Sequence, residues 1–172
     1  MSLDRPLSTL EMTALGIILK SAPCNAHAVL INFANSKTSA YRSGAGSIYP
    51  LLKRLTDASY LSLENKKYSL TESGLQAIRE WILPPFGPND ISTNLDVLRS
   101  RVYFLKLLTP PEIKAFLDES RSNLQALLQD CQEITASYQT SGDRFSELAM
   151  LGAVRETEAR IAWIEEIAQA LS

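Results

Sequence analysis

The sequence predicts a mainly α-helical protein: a winged helix-turn-helix domain of three to four helices plus a short β-hairpin, followed by a long-helix dimerisation arm. Three observations predict this fold class. Segments of helical periodicity precede a pair of short alternating runs at residues 60–63 and 67–70. Prolines then interrupt every regular pattern at residues 84–90. Beyond them, apolar residues recur at alternating spacings of four and three over two long stretches, as in coiled-coil seams.

The proline-rich segment separates two parts of opposite charge. Because proline does not continue a helix, we predict a winged-helix domain over residues 1–83, a linker over 84–94 and a helical dimerisation domain over 95–172. Residues 1–83 carry nine Lys and Arg against six Asp and Glu, whereas residues 84–172 carry eight against thirteen. A basic front and an acidic rear are typical of a protein that presents one end to a polyanion.

The first part begins with three predicted helices. Ser8 and Glu11 form a capping box for the first helix, and the second extends over residues 25–34. The third follows the flexible Ser-Gly-Ala-Gly run at residues 43–46. Its apolar residues recur at helical spacing and are predicted to be buried: Ile48, Leu51, Leu52 and Leu55. Four other side chains of this helix are then predicted to point outward: Ser47, Tyr49, Lys53 and Arg54.

A hairpin and a fourth helix complete this part. The two alternating runs are joined across Glu64-Asn65-Lys66, which predicts a tight β-hairpin. Thr71 caps the helix that follows. The predicted buried stripe of that helix contains Leu75, Ile78, Trp81 and Ile82. Three helices, a hairpin and a closing helix form the element order of a winged helix-turn-helix.

The part beyond the linker is predicted to be wholly helical. Its first helix starts near Leu95 and ends where Thr109 and Glu112 form a second capping box, with Pro110 at the first position of the next helix. Gly142 separates that helix from a last one, and both carry long apolar seams. We predict that one small chain does not cover two such seams and that a second copy does. The predicted homodimer interface contains Leu98, Val102, Leu117, Leu124, Leu127, Ile134, Val154, Ile161, Ile164 and Leu171.

Two motifs resemble the PadR family of winged-helix repressors. Residues 46–55 match its recognition-helix pattern Gly-x-x-Tyr-Pro-x-Leu-x-x-Leu, and residues 68–74 match its wing closure Tyr-x-Leu-Thr-x-x-Gly. The sequence departs from the family at residues 25–27, which are Asn-Ala-His instead of His-Gly-Tyr, and at Ser59, where glycine is common. The resemblance covers residues 8–82. It implies a DNA-binding transcriptional regulator, a dimeric repressor that binds a pseudopalindromic promoter site.

The resemblance implies that the third helix and the wing contact double-stranded DNA. A recognition helix enters the major groove through its N-terminal turns, so we expect Ser47 and Tyr49 at the bases and the following cations at phosphates. Two lysines are the only cations of the wing. The complete predicted set is Arg42, Ser43, Gly46, Ser47, Tyr49, Lys53, Arg54, Lys66 and Lys67. The structural alternatives are a solvated surface for the cations and packing of the Tyr49 ring on the preceding helix.

Two further hypotheses concern partners. A winged-helix module that has lost DNA binding would act as a protein-interaction or scaffold subunit, which the short wing and the acidic second part favour. The resemblance also implies a small aromatic effector at the dimer interface, near tryptophans such as Trp81 and Trp163, which lie on apolar stripes.

The sequence argues against an enzyme, a metal-binding protein, a membrane protein and a secreted protein. With one histidine and no phosphate-binding glycine motif, neither an enzyme nor a cofactor site can be assembled from the sequence. Cys24 and His27 stand three apart, but the first part has no further Cys or His to complete a metal site. The sequence contains no apolar run long enough to span a bilayer and no secretory signal at its start, so we expect a cytoplasmic protein.

Overall fold

The computed structural model describes residues 5–35, 45–83, 85, 87 and 96–171. The chain divides into two compact units between residues 91 and 92. Long helices and one small antiparallel hairpin confirm the predicted fold class. Two of the predicted DNA contacts, Arg42 and Ser43, lie outside the described residues.

The first unit has the predicted order of helices and strands. It contains α1 (Thr9–Ser21), α2 (Ala26–Ala34), α3 (Ala45–Asp57), β1 (Leu61–Glu64), β2 (Lys67–Leu70) and α4 (Glu72–Ile82). Ser8 and Glu11 form the predicted capping box, and the Asn25 side chain caps α2.

The core of the first unit confirms the predicted inner face of α3. All four of its apolar residues, Ile48, Leu51, Leu52 and Leu55, are at most 1% exposed. They belong to one cluster with Leu15 of α1 and Phe33 of α2. Each such side chain contributes about 1.5–3 kcal/mol when it is fully buried. Because these residues hold one side of α3 in the core, the opposite side faces solvent.

The β-hairpin is closed by a two-residue turn. Glu64 pairs with Lys67, which leaves Asn65 and Lys66 between the strands with φ angles of 49° and 62°. Positive φ at both central residues is typical of the type I′ turn, whose twist matches that of paired strands. The Tyr68 N–H also donates to the Cys24 carbonyl at 2.7 Å, and so ties the hairpin to the segment between α1 and α2.

Gly74 explains the end of the wing motif. A Cβ atom at this position would lie 2.3 Å from the carbonyl oxygen of Tyr60 and 2.9 Å from the Leu70 side chain. The Gly74 N–H donates to the Thr71 hydroxyl at 3.1 Å, and that hydroxyl donates to the Ser59 carbonyl at 2.6 Å. The start of α4 is therefore held close against the start of the hairpin, where Ser59 has a φ of 65°.

The predicted buried stripe of α4 is largely wrong. Ile78 packs against the core, but Leu75, Trp81 and Ile82 are 43%, 47% and 60% exposed. The helix contacts α1 and β2, and Gly74 is its buried residue, so a narrow line rather than a broad stripe faces the core.

The second unit starts with a shorter helix than predicted. It contains α5 (Val97–Val102), a 3₁₀ turn (Leu105–Leu107), α6 (Pro110–Ser141) and α7 (Arg144–Ala170). Tyr103 and Phe104 break the helix that was expected to continue, and both are exposed. The Asp96 carboxylate accepts hydrogen bonds from the Leu98 N–H and from Arg160 at 3.0 Å each, and so fixes the start of α5 to α7.

The two long helices form an antiparallel hairpin. The Thr109 N–H and hydroxyl donate to the Glu112 carboxylate, as the predicted capping box requires. Gly142 has a φ of 74° and ends α6 in the left-handed region, and the Asp143 side chain then caps α7. This short turn returns α7 along α6, and the two helices pack against each other. Within the described part of the chain, no helix has the length and apolar character needed to cross a membrane.

This hairpin shows that one argument for the predicted dimer was wrong. We expected the seams to require a second chain, but α6 and α7 cover each other within one chain, since a two-residue turn lets them pack side by side. Four of the predicted interface residues are consequently buried already: Leu117, Leu124, Val154 and Ile164. A fully buried side chain has almost no surface left for a partner. Five are half-buried, namely Leu98, Val102, Leu127, Ile134 and Ile161, and Leu171 is exposed.

Candidate nucleic-acid interface

The outward face of α3 carries the predicted helix contacts. Ser47, Tyr49, Lys53 and Arg54 are all exposed, as the helical spacing predicts. Tyr49 is 48% exposed, so its ring is shielded in part and still reaches solvent. A Cβ atom on Gly46 would meet nothing within 4 Å, so packing does not require glycine there. A glycine in the first turn instead leaves the helix start open to close approach by another molecule.

Lys53 is well exposed and forms a weak surface pair. Its Nζ lies 2.6 Å from Asp57 Oδ2, one helical turn later, and the two side chains are 75% and 62% exposed. An exposed pair of this kind contributes about 0.3–0.5 kcal/mol, so Lys53 can be drawn to a phosphate at little cost.

Arg54 has a different environment, because a buried carboxylate holds it. Its Nη2 donates to Glu11 Oε1 at 3.3 Å, and the Arg54 side chain is 49% exposed. Glu11 itself is fully buried. The Arg5 guanidinium donates to both Glu11 oxygens at 2.9 Å. The N–H and hydroxyl of Ser8 each donate to Oε2 at 2.8 Å.

These hydrogen bonds keep Glu11 ionised. Burial raises the pKa of the carboxyl, but donation from Arg5 and Ser8 outweighs burial and lowers the pKa to about 2. Sequence reasoning assigned Glu11 to helix capping and missed its contact with Arg54. No local signal predicts that contact, since the two residues are 43 positions apart and meet only in the folded unit.

The wing brings together the other predicted cations. Lys66 and Lys67 are both exposed, at the turn and at the start of β2. Lys67 is paired in register with Glu64, an exposed acid, which reduces the local positive charge. Lys66 lies at the tip and in the left-handed region, which a lysine adopts at a cost of about 1–2 kcal/mol.

The Cys24 and His27 positions do not share a helix. Cys24 lies before α2, is buried, and forms the backbone bridge to Tyr68, whereas His27 is exposed on α2. Burial raises the pKa of the Cys24 thiol. Among the described residues, no group of three or more His, Cys, Asp or Glu side chains could hold a metal ion.

The second unit contains a cavity of about 280 Å³ between α5 and α6. Leu98, Phe116, Leu124 and Leu127 supply its apolar lining, and Arg101, Glu119, Ser120 and Asn123 its polar lining. An apolar pocket with a few polar groups is typical of a site for a small organic molecule. Trp163 packs nearby in the same apolar cluster, but it is not among the residues that line this cavity.

Together, these observations define a winged helix-turn-helix protein in which the outward face of the third helix is exposed and a second unit is wholly helical. The arm, residues 96–172, matches the family model described as virulence activator alpha C-term. The whole chain is similar to the negative transcriptional regulator PadR of Bacillus subtilis, at 24% identity over 94% of this chain and 96% of the relative.

Solved structures show the same fold. The crystal structure of Bacillus subtilis PadR in complex with operator DNA matches with a TM-score of 0.77 at 21% identity, over 96% of this chain and 100% of that chain. The structure of the Vibrio cholerae virulence activator AphA matches with a TM-score of 0.70 at 19% identity, over 95% and 98%. PadR in complex with p-coumaric acid matches with a TM-score of 0.76 at 24% identity, over 95% and 99%. The chain is therefore similar over nearly its whole length to a PadR-type transcriptional regulator, in agreement with the resemblance that its motifs indicated, and this relative is a regulator rather than an enzyme.

Proposed function

We propose that this protein is a dimeric transcriptional repressor that places α3 in the major groove of a pseudopalindromic promoter site. The observation that carries the proposal is the outward face of α3, where polar and basic side chains and an open glycine stand opposite a fully buried apolar face. The similarity to PadR, which has been solved with operator DNA, supports the same activity. Since this partner is promoter DNA, we place the protein in the cytoplasm.

The contacts divide by chemistry. Ser47 and Tyr49 stand in the first turns of α3, from which short side chains reach base edges. Lys53 neutralises a phosphate after it leaves Asp57, and the wing lysines reach the backbone beside the groove. The complete proposed set on the described residues is Gly46, Ser47, Tyr49, Lys53, Lys66 and Lys67. Arg42 and Ser43 extend it toward the segment that precedes α3.

The arm would join two copies through apolar residues that the single chain leaves exposed. Tyr103, Phe104 and Leu107 are 62–77% exposed on the loop and 3₁₀ turn after α5. A second copy is the proposed occupant, because a pseudopalindromic site requires two recognition helices one turn of DNA apart. We expect a variant with Phe104→Ser and Leu107→Ser to be monomeric by light scattering. If it stays dimeric, the interface lies elsewhere.

A mobility-shift assay with the protein's own upstream region tests DNA binding. Tyr49→Ala should weaken binding to that region, and Lys53→Ala should weaken binding and reduce its dependence on salt. The matched control is Lys114→Ala, which removes a lysine from an equivalent exposed pair with Asp118 on α6. Absence of binding at low salt, or equal effects of Lys53→Ala and Lys114→Ala, would contradict the proposal.

A protein-interaction role is the second candidate. The exposed side chains of Trp81, Ile82 and Leu83 at the end of α4 favour it, since exposed aromatic and aliphatic clusters mark contact surfaces. The same assay separates the two functions, because an interaction module would show no preference for its own upstream region over unrelated DNA.

We also propose that the arm cavity binds a small aromatic acid. Its apolar lining suits an aromatic ring, and Arg101 suits a carboxylate. A relative has been solved in complex with an aromatic acid, p-coumaric acid, which supports this class of ligand. Adding p-coumaric acid should raise the melting temperature of the wild type but not of Arg101→Ala. An equal shift in both proteins would contradict this site.

A further inference from the structure

We propose that Glu11 is a positioning residue of the recognition helix, which holds Arg54 and thereby fixes the rotation of α3 about its own axis. Arg54 is then an anchor of the helix and not a phosphate contact. The inference rests on the proposed function, in that α3 is taken to be the helix that enters the groove.

The hydrogen bonds of Glu11 exceed what capping requires. An ionised carboxylate has about four acceptor sites, and Glu11 accepts from Arg5 twice, from Ser8 twice and from Arg54 once. The second capping box provides an internal comparison. Glu112 accepts from the N–H and hydroxyl of Thr109 in the same way, yet Glu112 is exposed. Full burial and contact with α3 are therefore specific to Glu11.

A directional bond supplies what the α3 core contacts lack. Leu51, Leu52 and Leu55 hold α3 against the unit, but apolar contacts are non-directional and tolerate small rotations. A hydrogen bond to a buried, immobile carboxylate is directional. Rotating a helix by about 20° moves a side-chain tip about 6 Å from its axis by about 2 Å. Such a shift would break hydrogen bonds between Ser47 or Tyr49 and a base edge.

The same contact lowers the charge that Arg54 offers to DNA. Lys53, the neighbouring residue, is paired with an exposed aspartate that water screens, whereas Arg54 is paired with a carboxylate of zero exposure. Buried charges are screened by water and salt much less than exposed ones, so the attraction between Glu11 and Arg54 outlasts that between Asp57 and Lys53. Lys53 can therefore release its partner to bind a phosphate, and Arg54 stays on Glu11.

The test measures binding to the upstream region and to unrelated DNA of equal length, each over a range of salt concentrations. We expect Arg54→Ala to weaken specific binding about tenfold and unrelated binding very little, with an unchanged salt slope. Lys53→Ala should weaken both and reduce the slope by about one per subunit. A mere loss of folded protein would weaken both DNAs equally and leave their affinity ratio unchanged.

Further variants test the link between the two residues. The double variant Glu11→Gln with Arg54→Ala should bind the upstream region no more weakly than the weaker of the two single variants, because both substitutions remove the same contact. Arg54→Lys should recover part of the specificity, and Glu112→Gln, the matched capping-box control, should change neither affinity. If Glu11→Gln fails to fold, the Arg54 variants still decide the question.

The outcomes separate this inference from the proposed function. A wild-type protein that binds neither DNA overturns the proposed function, and with it the role of α3. A wild-type protein that binds specifically, together with an Arg54→Ala variant whose salt slope falls by about one per subunit, overturns the anchoring role alone. So does an Arg54→Ala variant that retains full specificity.

Discussion

Replacing Lys66 with glycine should separate the folding of the wing from its function. Lys66 has a φ of 62° at the second position of a type I′ turn, where glycine is favoured. A non-glycine residue costs about 1–2 kcal/mol in this region, and glycine removes that cost. Glycine also makes the unfolded chain more flexible, which destabilises the folded state by about 0.5–1 kcal/mol and offsets part of the gain. Lys66→Gly should therefore raise the free energy of unfolding by about 0.5–1 kcal/mol, or the melting temperature by about 2 °C.

The same change should weaken DNA binding if the wing reaches a phosphate. Each phosphate contact contributes about 0.9 to the slope of log K against log salt. At about 0.1 M salt this corresponds to roughly eightfold in affinity for each subunit. The assay pairs thermal unfolding of the free protein with a salt titration of DNA affinity, so one substitution should move the two quantities in opposite directions.

Ser59→Gly is the matched control for this experiment. Ser59 has a nearly equal φ of 65° and no charge, so glycine should stabilise the fold and leave the salt slope alone. A Lys66→Gly variant that is less stable than the wild type would refute the strain argument. A variant that is more stable and retains both affinity and slope would refute the contact between wing and DNA.

Three further predictions follow from the first unit. Asp57→Asn should tighten DNA binding about two- to threefold, because it removes an acid beside Lys53. The control Asp118→Asn, in an equivalent pair on α6, should leave DNA binding unchanged. Equal effects of the two substitutions in a mobility-shift titration would contradict the prediction. Gly74→Ala should lower the free energy of unfolding by about 2–3 kcal/mol in urea titrations, since its Cβ would overlap a backbone carbonyl; a near-neutral effect would contradict this close packing. The folded-state pKa of Glu11, about 2, lies below the ordinary 4.5, so ionised Glu11 contributes about 3 kcal/mol to the free energy of unfolding above pH 4.5 and loses this contribution as the pH falls toward 2. Glu11→Gln should therefore flatten the pH dependence of the free energy of unfolding in this range. An unchanged pH profile would contradict the assignment.

Sequence periodicity correctly predicted features that do not depend on which element a helix packs against. Ile48, Leu51, Leu52 and Leu55 are buried as predicted because helical spacing puts them on one face whatever that face meets. The capping boxes were also confirmed, because they depend on residues three positions apart. The assignment of Ser47, Tyr49, Lys53, Lys66 and Lys67 to DNA stays a prediction.

The identity of the partner is what periodicity did not predict. Leu117, Leu124 and Ile164 follow a coiled-coil spacing, but the spacing is the same whether the facing helix comes from another chain or from the same one. The turn at Gly142 decides that question here, because it lets α7 return along α6. The contact of Glu11 with Arg54 was not predicted for a related reason, since Arg54 lies on another helix.

The proposed anchoring of Arg54 also predicts that the proposed DNA binding needs two subunits. If Glu11 retains Arg54, the cations that the proposal assigns to DNA on the described residues of one subunit are Lys53, Lys66 and Lys67. Three phosphates give a salt slope of about −2.7 for one subunit, and a dimer doubles it to about −5. At about 0.1 M salt the second set of contacts adds about 2.7 log units, or roughly 500-fold, to the electrostatic part of affinity. A monomeric variant such as Phe104→Ser with Leu107→Ser should therefore lose most of its promoter affinity while its α3 and wing remain intact. A monomer that keeps wild-type affinity and slope would show that cations outside the described residues carry the binding.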